Sequence, residues 1–256
     1  MKNDFLLEKV KALKLYGILS HWEKVCKASW IEEVVIWEET ARVNRSLERR
    51  LNSSRIGRFK PITQFDWEWP KKIDRTAIEE LMQLEFIKEA INVILCGPNG
   101  VGKSMIAKNI AHYAVMRGHT VLFTTAAQML NELASQDGDH ALGRRIKYYA
   151  QPQLLVCDEV GYLCYSNRHA DLLFEIISRR YHDKPTIITT NKPFAEWNEI
   201  FPNASCVVSL IDRLVHHSEI IPIDAPSFRL KEATEQAAKR KKARTQRKTH
   251  REGKAS

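Results

Sequence analysis

The sequence predicts an α/β protein, a parallel sheet with helices on both faces, preceded by a helical N-terminal extension. Three observations carry this. After residue 90, short apolar runs of strand length alternate with stretches of helical periodicity, the order that lays crossover helices over a parallel sheet. The first run, Asn92-Val93-Ile94-Leu95-Cys96, leads directly into Gly97-Pro98-Asn99-Gly100-Val101-Gly102-Lys103-Ser104, which fits the phosphate-loop spacing G-x-x-x-x-G-K-[ST]. Residues 1–60 instead read as helical throughout.

In chain order, Leu6, Val10 and Leu13 fall at i, i+4 and i+7. Ser29 and Glu32 have capping-box spacing, and a longer helix follows through Val34, Trp37, Ala41, Leu47 and Leu51. Arg42, Arg45 and Arg49 share one face of it, which could lie against phosphates or simply face water. Trp22, Trp30 and Trp37 are expected to pack on the apolar side rather than stack on bases. Residues 52–73, with Gly57, Pro61 and Pro70, form a connector. Its aromatic segment Phe65-Asp66-Trp67-Glu68-Trp69 could cover a nucleotide or dock on the core. Asp74 or Thr76 opens a helix with Ile78, Leu81, Met82 and Phe86 on one side.

The phosphate loop has its confirming context. A strand precedes it, and Ile106, Ala107, Ile110, Ala111, Ala114 and Val115 recur at helical spacing after it. Glycines let backbone N–H groups turn inward on an anion, and the following helix adds the positive end of its dipole. Lys103 brings a full charge to the β- and γ-phosphates, and the Ser104 hydroxyl is a hard ligand for Mg²⁺. Further strands are read at 119–124, 153–157, 185–190 and 219–223, the last with Pro222 suggesting an edge. Helices are read at 126–134, 141–149, 170–181 and 207–217. A ligand then belongs at the carboxyl ends of the strands.

Fifty-five residues after Lys103, an apolar strand ends in Asp158-Glu159. Asp158 is placed to hold Mg²⁺ through its water shell, and Glu159 to orient the attacking water of a nucleotide hydrolase. Asn191, ending the next strand, can sit between the γ-phosphate and that water. Arg213 could reach a neighbouring subunit's γ-phosphate, and Arg229 the nucleotide of its own subunit. His182, His216 and His217 lack metal spacing with cysteines, so surface or packing roles are expected.

Of 256 residues, 44% are hydrophobic, enough for one good-sized domain plus extensions. No run approaches the length of a membrane span, and the N-terminal segment lacks a signal peptide's apolar region, so a cytoplasmic location is expected. The five cysteines are scattered without a C-x-x-C pair, in keeping with free, mostly buried thiols in a reducing compartment. The net charge of +9 is concentrated. Residues 239–256 hold nine Lys/Arg and one Glu, and residues 42–60 hold seven Lys/Arg against Glu48. Polyanions such as DNA, here expected to be double-stranded, are the natural partners for such clusters; a solvated helix face and a solubilising tail are the alternative. The expected division is a helical DNA-binding or assembly extension at 1–60, an ATPase core at 61–230, and a basic, disordered tail at 231–256.

With these motifs in place, the chain resembles the IstB-like ATP-binding helper proteins of bacterial insertion-sequence transposition, close to the DnaC-type helicase loaders of the AAA+ class. The matching segments are LCGPNGVGKS, FTTAAQMLNEL, LLVCDEVGYL, ADLLFEIISRRY, TIITTNKPFAEWNEIF, LIDRLVHH and SFRLKEA, with LKLYGILSHWEKV near the start. The resemblance implies a protein that binds ATP and Mg²⁺, self-associates around DNA, and uses hydrolysis to regulate the transposase encoded by the same mobile element. It implies that Gly102, Lys103 and Ser104 bind phosphate and metal, that Asp158 and Glu159 are the metal-binding and catalytic carboxylates, that Asn191 is the polar sensor, Arg213 the finger and Arg229 the second sensor. Only about 30 residues follow Ile223, too few for the helical lid of the wider class, and Phe228 stands where Tyr is usual. Alternative readings are a replicative helicase loader and an ATP-gated DNA-binding scaffold with little turnover.

Overall fold

The computed structural model describes residues 2–163, 165–202, 204–238 and 240, in two compact units, one reaching from the N terminus to Ser53 and the other from Ser54 onward. The first unit contains helices α1 (Lys2–Ala12), α2 (Tyr16–Leu19), α3 (Trp22–Val25) and α4 (Ile31–Ser54). Val10, Ile31 and Val35 are its buried centre, with Leu6, Leu13, Leu15, Ile18, Leu19, Trp22 and Val25 packed against them. Each of the three buried side chains contributes about 1.5–3 kcal/mol. The phase of α4 therefore differs from the expected one. Ile31 and Val35 face inward, which turns Trp37, two residues and about 200° further round the helix, to solvent. Trp22 packs as expected, but Trp30 is 49% exposed and Trp37 63% exposed, so the packing expected of these two does not hold.

In the second unit, α5 (Arg75–Leu81) and α6 (Glu85–Lys88) lead to β1 (Asn92–Cys96). Asp74 caps α5 by accepting from Ala77 N at 2.9 Å. The chain continues through α7 (Lys103–Met116), β2 (Val121–Thr125), α8 (Ala126–Ala134), α9 (Asp139–Ala150) and β3 (Leu154–Val160). Then come α10 (Asn167–Arg180), β4 (Thr186–Thr190), α11 (Trp197–Ile200), α12 (Val207–His216) and β5 (Ser218–Pro222). Residues 228–238 form a last helix, α13.

The five strands are parallel and ordered β2-β3-β4-β1-β5. Pro222 lies on β5, which pairs with β1 alone, so its missing N–H costs no ladder bond. Alternate strand residues serve opposite faces. Ile94, Leu122, Leu155, Cys157 and Ile188 pack with Leu130, Ile146, Leu173 and Leu210 from α8, α9, α10 and α12. Their neighbours Val93, Leu95, Val156 and Ile187 are equally buried on the face where α7 lies against the strands. Helices on both faces bury β1 to β4 almost throughout, which is why those strands read as continuous apolar runs, whereas the edge strand β5 keeps Ile220 and Pro222 exposed.

α13 corrects one expectation. Residues 231–238, assigned to a disordered tail, are helical. Their composition, KEATEQAA, is that of a good helix former. Apart from Arg240, the basic run 239–256 lies outside the described residues. Of the four described cysteines, all free, only Cys157 is fully buried, which corrects the expectation of mostly buried thiols.

Candidate nucleotide site

The loop between β1 and α7 is held from three sides. Phe228 N donates to Gly100 O at 3.0 Å, tying it to the start of α13. Phe65 covers Gly102, which has φ +102° and whose Cβ would meet Phe65 Cε2 at 2.5 Å. Only glycine combines that backbone angle with that approach. On α7, buried Asn109 accepts from Ile62 N (2.9 Å) and donates to Lys60 O (3.0 Å), pinning the connector beside the loop. The connector also bonds the segment after β5, Lys71 N and Lys72 N to Asp224 O (2.8 and 3.2 Å) and Asp224 N to Lys72 O (2.9 Å).

The aromatic segment docks on the core, the second of the two roles expected of it. Trp69 docks, donating Nε1–H to Pro226 O at 2.9 Å beneath Lys231, whose ammonium is 4.1 Å from the indole centroid. Phe65, Asp66 and Trp69 also line a cavity of about 320 Å³ with Gly100, Val101, Gly102, Lys103, Ser104, Tyr162, Phe228 and Arg229. That volume lies within the range of ligand sites. Arg229 thus stands at the same cavity as the loop.

Lys103 is 4% exposed, and its ammonium donates to Gly97 O (2.6 Å) and Pro98 O (2.7 Å). Burial lowers its pKa below 10.5, Cys96 and Asp158 oppose the shift, and the Arg229 charge adds to it. Ser104 Oγ donates to Asp158 Oδ1 at 2.9 Å, joining α7 to β3. This pair of hard oxygens, a hydroxyl and a carboxylate, is a donor set that fits Mg²⁺.

At the end of β3 the register against β4 shifts between Cys157 and Val160, and Glu159 sits at φ +64°. A bulge here re-aims the acid pair out of the alternation of the strand. Thr189 on β4 fixes it: Oγ1 donates to Asp158 Oδ1 at 2.5 Å and accepts from Glu159 N at 2.9 Å. Sequence reasoning passed over Thr189, although it lies in the same TTN segment as Asn191. Asn191 abuts Gly161, φ +97°, where a Cβ would meet Asn191 Oδ1 at 2.8 Å. That oxygen is buried without a hydrogen-bond partner among the described residues.

Two predicted groups lie elsewhere. Arg213, in the last turn of α12, stacks over Phe174 (4.6 Å to the centroid) and beside Tyr181 (5.8 Å), and does not line the cavity. Arg42, Arg45 and Arg49 belong to the first unit, where they share a concave face of α4 with Glu38. Arg42 Nε donates to Glu38 Oε1 at 2.6 Å and Arg45 Nη2 reaches the same oxygen at 3.4 Å. The Arg42 hydrogen bond, with the Arg42 and Arg45 charges, holds the Glu38 pKa low. The basic face thus carries a carboxylate that the spacing of arginines alone does not reveal.

A phosphate loop leaving a central strand of a β2-β3-β4-β1-β5 parallel sheet, with an acid pair on β3, defines a P-loop protein of the AAA+ type. Solved structures share the fold. A DnaI structure superposes with a TM-score of 0.54 at 18% identity, covering 67% of this chain and 91% of that one. AMPPCP-bound DnaA from Aquifex aeolicus superposes with a TM-score of 0.51 at 16% identity, covering 69% and 56%. The family described as IstB-like ATP binding protein matches residues 5–236, and the chain belongs to that family. It is similar to the protein named for ATP binding in insertion sequence IS5376 of Geobacillus stearothermophilus, 36% identical over 197 residues, 77% of this chain and 78% of that protein. A counterpart from insertion sequence IS21 of Pseudomonas aeruginosa is 37% identical over 195 residues, 76% of this chain and 74% of that protein. No helix among the described residues is long and apolar enough to cross a membrane.

Proposed function

We propose that this chain binds ATP, hydrolyses it to ADP and phosphate, and acts as a helper of insertion-sequence transposition that assembles on double-stranded DNA and regulates a transposase from the same element. The observation that carries the reading is the hydrogen-bonded set Ser104–Asp158–Thr189 beside the buried Lys103 ammonium. Family membership supports the choice of ATP.

In this mechanism Lys103 exchanges its bonds to Gly97 and Pro98 for oxygens of the β- and γ-phosphates. The amides of residues 99–104 and the N terminus of α7 receive the remaining phosphate charge. Ser104 and Asp158 would hold Mg²⁺, which when bound supplies charge neutralisation across the phosphates. Glu159, turned out of the strand by its left-handed backbone, orients the attacking water, and Asn191 steadies water and γ-phosphate from β4. Arg213 acts on the nucleotide of an adjacent subunit, and Arg229 on that of its own. The basic clusters supply the DNA contact, and free thiols fit a cytoplasmic setting.

The test is ATP binding and turnover with and without duplex DNA for wild type, Lys103→Ala and Glu159→Gln. Wild type is expected to turn over faster on DNA, and Lys103→Ala to lose binding. Glu159→Gln should bind normally and turn over about 10²–10⁴-fold more slowly. Equal turnover by Glu159→Gln and wild type would replace the enzyme by an ATP-gated scaffold. Absence of ATP binding by the folded wild type would overturn the reading. Capture of a replicative helicase in place of the transposase would move the chain to the loader class.

A further inference from the structure

His182 and the adjacent pair His216-His217 meet at the end of the sheet remote from the phosphate loop. His182 follows α10, His216 ends α12, and His217 leads into β5. One ring nitrogen of each lies within 4.8 Å of the others, and all three rings are exposed. Ring centroids are 4.5 Å apart for His216–His217, 5.0 Å for His182–His217 and 5.8 Å for His182–His216. The loop leaves β1 at its carboxyl end, whereas His182 and His217 precede the parallel strands β4 and β5. A five-residue strand, about 17 Å at ~3.3 Å per residue, separates the two ends.

The cluster is built rather than incidental to one mobile loop. His217 O accepts from Asn92 N at 2.8 Å, which ties it to the start of β1. His182 takes a left-handed backbone, φ +66°, uncommon for a residue with a Cβ, and its ring lies 3.9 Å from that of Tyr181. Tyr181 Oη lies 2.8 Å from His216 Nδ1. With the proton on Nδ1 donated to that oxygen, Nε2 carries the lone pair, the arrangement that outer hydrogen bonds impose on metal-binding imidazoles.

We propose that His182, His216 and His217 form a binding site for a borderline divalent transition-metal ion, with Zn²⁺ as its occupant. Imidazole nitrogen suits Zn²⁺ and not Mg²⁺, so the site is chemically distinct from the Ser104–Asp158 pair. A tetrahedral ion with Zn–N of about 2.0–2.1 Å needs N···N edges of about 3.3 Å. Side-chain rotations of about an ångström close the set, and exposure leaves room for them and for water as fourth ligand. The bound ion joins the turn after α10 to the end of α12. Tyr181 then links the site to Arg213, since it contacts both His216 and the Arg213 guanidinium.

The experiment is calorimetric titration of untagged, full-length, reduced protein with Zn²⁺ alone, in the absence of nucleotide, on wild type, His182→Ala, His216→Ala and a His140→Ala control from the exposed face of α9. Cobalt substitution reports the ligand set. The expected result is one saturable site per chain, weakened about tenfold or more by His182→Ala and by His216→Ala and unchanged in the control. Cobalt should give tetrahedral visible bands without thiolate charge transfer. Because all three rings are exposed, circular dichroism and melting temperature of the variants should match wild type without metal. No saturable binding by folded wild type, unchanged binding in both site variants, equal loss in the control, or a thiolate spectrum would each overturn the assignment.

Discussion

Thr189 is the residue on which the acid pair turns. Its hydroxyl is the donor to Asp158 Oδ1 and the acceptor for Glu159 N–H, so one side chain sets both the carboxylate and the left-handed backbone beside it. Thr189→Val keeps the shape and removes both bonds. Leaving the part-buried Glu159 N–H unpaired costs about 1 kcal/mol, readable as a lower urea midpoint. Turnover should fall with nucleotide affinity largely kept, and Thr189→Ser should restore it. A Val variant with wild-type turnover would remove Thr189 from the positioning role. Lys103 makes a second prediction at this scale. Burial depresses its pKa below 10.5, so over the alkaline range between its folded and unfolded values the unfolded chain binds more protons. Stability of the nucleotide-free chain then rises with pH in that window, because the charged form that burial penalises is being lost. Lys103→Met lacks this term. Its stability relative to wild type should therefore decline as pH climbs towards 10.5, as measured by urea titration at several alkaline pH values.

Among the elements, α10 and β4 are joined by a buried arginine. Arg180 is 1% exposed, and its five N–H donors go to Thr186 Oγ1 and the carbonyls of Ala150, Pro152, Gln153 and Pro185. It therefore closes the turn between α9 and β3 onto the start of β4 with no carboxylate partner among these bonds. Arg180→Met strands several buried carbonyls and should cost about 3–5 kcal/mol in chemical denaturation. Arg179→Ala, which loses only the exposed pair with Glu175, should cost about 0.5 kcal/mol or less. Equal losses would contradict this division. Arg179 and Arg180 differ in the sequence only by helical phase, and reading that phase against Ile176 and Ile177 would have found the buried one. The strands, the helices of the core and the loop-to-Asp158 pairing were legible because apolar runs, helical periodicity and a fixed spacing mark them locally. The phase of α4 was not, since Ile31, Val34, Val35, Ile36 and Trp37 place apolar side chains around most of a turn. Nor were Asn109, Thr189 or the three-histidine cluster, whose meaning depends on partners brought from other elements.

At the scale of the whole molecule, activity should depend on assembly and on salt. Arg213 lies against Phe174 and Tyr181, and the cavity beside its own phosphate loop is lined without it. On the proposed function Arg213 serves another subunit's nucleotide, and such fingers are worth about 10³–10⁵ in rate. Specific ATPase activity should therefore fall on dilution. A sharper test uses two inactive variants. Lys103→Ala keeps the arginine and loses the loop, while Arg213→Ala keeps the loop and loses the arginine. Mixed, they should regain activity, because a mixed interface can pair an intact loop with an intact Arg213, whereas a role within one subunit predicts a mixture as inactive as its parts. DNA binding offers the parallel measurement in salt. Residues 239–256 carry nine Lys/Arg, and each phosphate they neutralise adds about 0.9 to the slope of log affinity against log salt. Their deletion should flatten that slope, and Arg42→Gln/Arg45→Gln/Arg49→Gln should flatten it less, because Glu38 already offsets part of that face. A triple variant that flattens the slope more than the deletion would move the principal DNA contact to α4.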